Sequence, residues 1–273
     1  MASMTVNQIP IIPKAESISV HTGNVVNWNR LKRKIVQGPT EELTECISST
    51  IGSWLADHED EKDTLQEITQ LTCLNSNFLE PLPADERDKF KVTAKIFLCD
   101  YGEDVIEDAV NSVLTDLGIG HIETVLLAFA EKRRNLETLQ ASWLTLERLH
   151  KCFKVFSLGV ADLNKTQLEG LYSWAEVKPS INQVNLDSCC VMPPELVEFA
   201  KEFDIQLLTH SDPHDILTEA AFQGVMADKM TSPDSANWQP SWVVRYSVLI
   251  KCRGVIHAKG YIMKAQRDIK RRK

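Results

Sequence analysis

Several signatures are missing from these 273 residues, and each absence removes a class of function. There is no GxxxxGK(S/T) loop, no GxGxxG and no GxSxG elbow, so the common phosphate cradles and acyl-transfer sites are not written into the chain. The GIG at 118–120 is too short to count as one. The seven cysteines show no CxxC spacing of the metal-binding kind. No apolar run approaches the length of a membrane span. The opening MASMTVNQIPIIPK has neither the basic region nor the sustained apolar stretch of a secretory signal, and prolines interrupt it. Positive charge is in deficit, with 30 Lys and Arg against 38 Asp and Glu and a net charge of −8. A general nucleic-acid binder needs a basic surface to neutralise phosphates, so that class is set aside. Only the closing KAQRDIKRRK is locally basic, and it reads as a solvated tail. Free thiols without a secretion signal point to a reduced, cytoplasmic protein with no membrane association.

What is present is a repeating pattern. FKVTAKIFL (90–98) alternates, with Phe90, Val92, Ala94, Ile96 and Leu98 on one face, as a strand requires. Ile106, Val110, Val113 and Leu117 follow at helical spacing, and Gly118 is placed to end that helix. ETVLLAFA (123–130) is nearly continuous and apolar, the mark of a strand buried on both faces. Leu136, Leu139, Trp143, Leu146 and Leu149 trace the next helix, and VFSLGV (155–160) the next strand. Leu168, Leu171, Tyr172 and Ala175, then INQVNL, PELVEFAKEF and IQLLT, continue the alternation. Strands alternating with helices at this interval predict parallel βαβ units. The N-terminal third is less regular. SISVHTG (17–23) reads as a first strand, and a helix opens near Thr40 with Leu43, Ile47, Ile51 and Leu55 on its apolar face. Residues 57–90 are polar and poorly periodic, and read as loops or a degraded unit. SWVVRYSVLIKCRG reads as a helix into a turn, and VIHA as a final short strand. No linker divides the chain. The expectation is one α/β domain over 1–273, barrel-like and irregular in its N-terminal third, with 1–14 and 265–273 as flexible tails.

Several side chains are placed for chemistry. If Ala94 and Ile96 face the helices, Lys95 points inward, where a charge needs a partner or a purpose. Asn182 and Gln183 are adjacent on one strand, so alternation sends only one of them inward. An inward amide or lysine serves equally as a core polar network without a ligand. Cys189 and Cys190 follow that strand. Adjacent cysteines rarely bond to each other, and they read either as two small semi-buried apolar groups or as a redox or contact site. His210 and His214 have metal-like spacing, but Pro213 in HSDPH breaks a helix there, so the stretch reads as a loop and no metal is expected.

KVFSLGVADLNKTQLEGL (154–171) followed by PSINQVN (179–185) resembles the aldo-keto reductases, (β/α)8 TIM barrels that use NADPH. The similarity is closer to one branch. DLNKTQLEGLYSWAEVKP, NQVNLDSCCVMPPEL, EFAKEFDIQLLTH and RYSVLIKCRGVIHAKGYI are similar to the regulatory (modifier) subunits of glutamate–cysteine ligase. HTGNVVNWNRLKRK and DERDKFKVTAKIF extend the resemblance over most of the chain, and 60–80 and 221–238 match poorly.

The resemblance carries expectations residue by residue. Reductases of this type use an aspartate, a tyrosine, a lysine and a histidine in chain order. Lys95 in VTAKIF matches the lysine, as a vestige. No tyrosine precedes it, the four being Tyr101, Tyr172, Tyr246 and Tyr261, and LLAFA puts Ala128 or a neighbour where the histidine would stand. Without a positioned proton donor, carbonyl reduction lacks its acid. The resemblance therefore implies a chain without reductase activity. Asn182, Gln183 and Lys259 match positions that hold NADPH, as vestigial contacts, and no cofactor is required. The implied partner is the catalytic subunit of the ligase, in a heterodimer that improves glutamate use and relieves inhibition by glutathione in glutathione biosynthesis. Candidate contacts are Cys189, Cys190 and Met192 after the Asn-Gln strand, with Arg245, Cys252 and Arg253 near the C-terminus. The alternatives are an NADPH-dependent reductase with an atypical active site, and a retired barrel serving as a scaffold.

Overall fold

The computed structural model describes residues 11–28, 38–100, 102, 104–131, 134–185 and 191–268. The alternation read from the sequence appears as β3 (Phe90–Leu98), α2 (Val105–Leu117), β4 (Ile122–Phe129), α3 (Leu136–Lys151), β5 (Val155–Ala161), α4 (Lys165–Trp174), β6 (Ile181–Asn185), α5 (Pro194–Glu202) and β7 (Gln206–His210). Before them stand β1 (Ser17–His21), α1 (Pro39–Asp57) and β2 (Gln70–Leu74). After them come α6 (Glu219–Ala227), β8 (Trp238–Ile250) and β9 (Val255–Arg267). The nine strands form one sheet in the order β2-β1-β9-β8-β3-β4-β5-β6-β7. From β3 to β7 every pairing is parallel. This is the α/β fold the sequence predicts, with strands and helices alternating from β3 to β7.

Local chemistry explains where these elements stop. Gly118 ends α2 at φ +62°, and its N–H reaches back to the carbonyls of Leu114 and Thr115. A left-handed residue of this kind favours glycine because it has no Cβ to clash. Asn164 opens α4 with a capping box, its side chain accepting from Gln167 N while the Gln167 side chain accepts from Asn164 N. Alternation then sorts the strands between two cores. Val92, Ala94, Ile96, Val125, Leu127, Val244 and Tyr246 pack with α2 to α5. Phe97, Val243, Tyr261 and Met263 face the other way, into a core with α1 and α6.

Three expectations are corrected. The first part of SWVVRYSVLIKCRG is not helical: residues 241–250 belong to β8, which pairs antiparallel with β3 and with a long β9 to make a hairpin wedged between β1 and β3, and 251–254 form the expected turn. Val243, Tyr246 and Ile250 also fit helical spacing, which is why a short apolar run is ambiguous by period alone. Its β-branched and aromatic content, with successive residues sent into opposite cores, decides for the strand. Residues 57–90 contain β2, which pairs parallel with β1 from Ser17↔Gln70 to His21↔Leu74. Only Leu71 and Cys73 of β2 are buried, too weak an alternation to stand out. The expected tails are also shorter, because Ile12 is buried and β9 runs to Arg267.

Arg267 ties the two ends together. Its Nε donates to the Ala15 carbonyl at 2.8 Å, Nη2 to Ile12 O at 2.6 Å and Nη1 to Asp234 O at 3.1 Å. The guanidinium lies 4.8 Å from the Trp238 ring centroid. The Asp234 carboxylate, 3.9 Å from Nη1 and fully buried, accepts in turn from Ile11 N at 2.7 Å. Removing one member of a buried charge pair leaves the other uncompensated. Arg267→Met is therefore expected to lower unfolding free energy by about 3–5 kcal/mol in urea titration. A loss under about 1 kcal/mol, the scale of a surface pair, would show that the two ends are held by something else.

Candidate functional site

Lys95 sits mid-strand on β3, on the face opposite Ala94 and Ile96, and is 3% exposed. Its Nζ donates to Gln183 Oε1 at 2.8 Å and to Asp212 Oδ2 at 2.7 Å. Arg245 is directly across from Lys95 in the β3–β8 register, and its fork donates to both Asp212 oxygens, Nη2 to Oδ2 at 2.8 Å. Asp212 follows β7 in the HSDPH loop, where Asn185 Nδ2 donates to its carbonyl at 2.9 Å. His210 closes β7, with Nε2 3.0 Å from Asp162 Oδ1 and Nδ1 receiving the Asp212 N–H at 3.1 Å. Asp162, at φ +59° just past β5, also accepts from Asn185 N at 2.8 Å. One carboxylate thus serves two interior cations, and a histidine links it to a second carboxylate.

The electrostatics follow from burial and these contacts. Burial pulls the Lys95 pKa below its ordinary value, helped by the charge of Arg245 and opposed by Asp212. Burial works to raise the Asp212 pKa, but hydrogen bonds from His210 and Arg245 and the charges of Arg245 and Lys95 outweigh it, leaving the carboxyl well below the usual range. Asp162 is held low in the same way, chiefly by His210. Burial works to lower the His210 pKa, and its bonds to Asp162 and Asp212 hold it above the ordinary value. With the Asp212 N–H aimed at Nδ1, the neutral ring carries its proton on Nε2. The second proton goes to Nδ1, 3.4 Å from Asp212 Oδ2.

This arrangement balances charge and is not set up to deliver a proton to a carbonyl. Among the described residues no tyrosine hydroxyl meets Lys95, whose acceptors are Gln183 and Asp212. Tyr261 donates to Glu42 Oε1 at 2.5 Å, and burial together with the Glu42 charge pushes its pKa up, so it holds its proton more tightly than a free phenol. Ala128 is opposite Phe97 in the β3–β4 register and brings no titratable atom.

The sequence-predicted residues scatter. Asn182 is fully buried, and its amide bonds both ways with the Leu163 backbone, donating to O at 2.9 Å and accepting from N at 3.4 Å. Gln183 alone of that pair meets Lys95. Lys259 lies on β9 with Nζ against Glu42. Asn182 and Lys259 thus have their polar groups engaged within the protein, away from Gln183 and Lys95. Cys189 and Cys190 lie outside the described residues. Met192 follows β6, whereas Cys252 and Arg253 are exposed in the turn after β8, beside the start of β3 through the pair Phe90↔Ile250. Since β6 runs parallel with β3, these segments are at opposite ends of the sheet. Arg245 belongs to neither, being bound to Asp212 in the interior. Among the described residues, Met192, Arg245, Cys252 and Arg253 therefore do not form one surface. Asp212, His210 and Asp162 were missed as a unit. The available signal was the inward lysine, which demanded a carboxylate without saying which. Among the described residues no cluster of His, Cys, Asp and Glu is arranged to hold a metal.

The glutamate–cysteine ligase regulatory subunits of Mus musculus and Homo sapiens are each 41% identical to this chain over 263 residues, covering 94% of it and 95% of the relative. The chain belongs to the glutamate–cysteine ligase regulatory subunit family. No protein-family model matches it. Among solved structures, an aldo-keto reductase from a Medee basin deep-sea metagenome library aligns over 42% of this chain and 41% of that chain, at 26% identity and a TM-score of 0.37. No helix among the described residues of this regulatory-subunit relative is long and apolar enough to cross a membrane.

The network makes two predictions. Asp212→Ala strands Lys95 and Arg245 without a carboxylate and is expected to cost about 3–5 kcal/mol, more than Lys95→Met, which leaves Arg245 paired. Urea titrations giving the reverse order would show that Asp212 is not the hub. The pH dependence has two limbs. The raised His210 pKa contributes stability that is complete below its ordinary 6.5 and is lost as pH rises through the folded value. The lowered Asp162 and Asp212 values contribute stability present above their ordinary 3.8 and lost as pH falls. His210→Gln is expected to flatten the limb above 6.5 and to shrink the acid limb to the part that Arg245 and Lys95 maintain on Asp212; an unchanged alkaline limb refutes the assignment.

Proposed function

We propose that this chain is a non-catalytic regulatory subunit that binds the catalytic subunit of glutamate–cysteine ligase as a heterodimer in the cytoplasm. There it improves glutamate use and relieves inhibition by glutathione. The observation that carries this reading is the 41% identity over 94% of the chain to regulatory subunits, extending across the full length of the fold. The interior supports it: the inward lysine is consumed by an ion-pair network instead of being presented to a substrate.

A subunit that supplies no catalytic group acts by binding one conformation of its partner better than another. If it favours the glutamate-competent form, glutamate binding tightens and competition by glutathione weakens together. Reciprocity then requires glutamate to strengthen subunit association, to the extent that glutamate binds the favoured form. Contact through the exposed Cys252–Arg253 turn and through the segment carrying Met192 are separate options, because they lie at opposite ends of the sheet.

The test is the kinetics of the catalytic subunit with and without this chain. Adding it is expected to lower the KM for glutamate and raise the glutathione concentration needed for inhibition. The same titration with glutamate present is expected to show tighter association. Unchanged kinetics would remove the proposal, and rapid NADPH consumption by the purified chain with aldehydes would favour the reductase alternative.

A further inference from the structure

A second set of polar groups stands just outside the Lys95 network. A cavity of about 480 Å³ opens at the C-terminal ends of β5 and β6, a size ordinary for small-molecule pockets. Its wall is apolar, formed by Leu163, Val184, Pro193, Leu196 and Pro213. Two opposite charges, Arg134 and Asp162, face it together with His214, Asn164 and Asn185.

The two charges do not neutralise each other. Arg134 donates through Nη1 to the backbone carbonyl of Asp162 at 2.7 Å, not to its carboxylate, and Nη2 lies 3.3 Å from His214 Nδ1. Its buried Nε–H has no partner among the described residues, and Nη1 and Nη2 each carry a second N–H beyond these contacts. The Asp162 carboxylate uses Oδ1 for His210 and Asn185 N, and Oδ2 accepts no hydrogen bond among the described residues. No salt bridge joins the two side chains. Asn164 caps α4, and Pro193 is the residue before α5, so both helices start at the cavity, where their amides favour a negative group. A dianion would be opposed by the ionised Asp162, and a plain cation by Arg134.

We infer that this cavity binds a zwitterionic α-amino acid with a small apolar side chain, or the corresponding end of a short peptide. Arg134 takes the carboxylate, Asp162 Oδ2 takes the ammonium, and the leucine–proline wall takes the side chain. The inference stands independently of the ligase reading. A second acidic group, as in glutamate, would be pressed against the apolar wall or Asp162, so the preference is for neutral side chains.

Isothermal titration of the full chain with L-leucine, 4-methylpentanoate and 3-methylbutylamine tests it, since the last two each lack one charge. L-leucine is expected to bind with a Kd of about 1 mM or tighter, and each analogue about tenfold or more weakly. Arg134→Gln is expected to abolish leucine binding. Asp162→Asn, which keeps the left-handed backbone accessible, is expected to bring leucine down to the level of 4-methylpentanoate. No saturable leucine binding by the unmodified chain up to about 10 mM, or the same Kd in Arg134→Gln, overturns the inference. If Arg134→Gln does not fold, Leu196→Phe, which fills the cavity and leaves both charges in place, decides instead: lost binding supports the site, and unchanged binding overturns it.

Discussion

An ammonium group carried into the middle of a sheet costs several kcal/mol in lost hydration unless a carboxylate travels with it. That constraint organises the upper half of this molecule. Asp212 answers Lys95, but it can do so only because the HSDPH loop turns back over the sheet and Arg245 arrives on the neighbouring antiparallel strand. His210 and Asn185 then hold Asp212 to Asp162, so the ends of β5, β6 and β7 are drawn together around one charge. Replacing such a network with apolar groups of similar volume is often neutral or stabilising elsewhere. Here its effect is positional: it sets where β5, β6, β7 and β8 meet.

The same geometry is compatible with the regulatory-subunit family to which the chain belongs. A lysine that tunes a proton donor must touch it, and Lys95 touches an amide and a carboxylate instead. The phenol within reach of Arg245, Tyr261, is tied to Glu42 and made a weaker acid. Closer to the ends of the chain, Arg267 performs a comparable task, drawing Ile12, Ala15 and Asp234 around one guanidinium so that the first and last strands are held in one sheet.

Much of the fold was legible because burial imposes period. From Phe90 to His210 the switch between two-residue and 3.6-residue spacing marked each strand and helix. The misreading of 241–250 came where the two periods coincide over a short apolar run. β2 escaped notice because a strand of five residues with two buried ones barely departs from a polar loop. For the site, the inward direction of Lys95 was readable from its neighbours Ala94 and Ile96. Its partners were not: Asp212 is 117 positions away, and nothing local distinguishes it from other acidic residues in loops.

By itself the sequence determined the βα rhythm, the inward lysine, the missing tyrosine and histidine of a reductase, and the family. These are properties of neighbouring residues, or of long matched stretches, and survive without coordinates. Tertiary structure alone decided that residues 238–267 enter the sheet as a hairpin, that the turn at Cys252 and Arg253 and the segment carrying Met192 lie at opposite ends, and that the side chains of Arg134 and Asp162 share a cavity without pairing. Each of these depends on which distant segments are brought within hydrogen-bond reach, and local spacing carries no information about that distance.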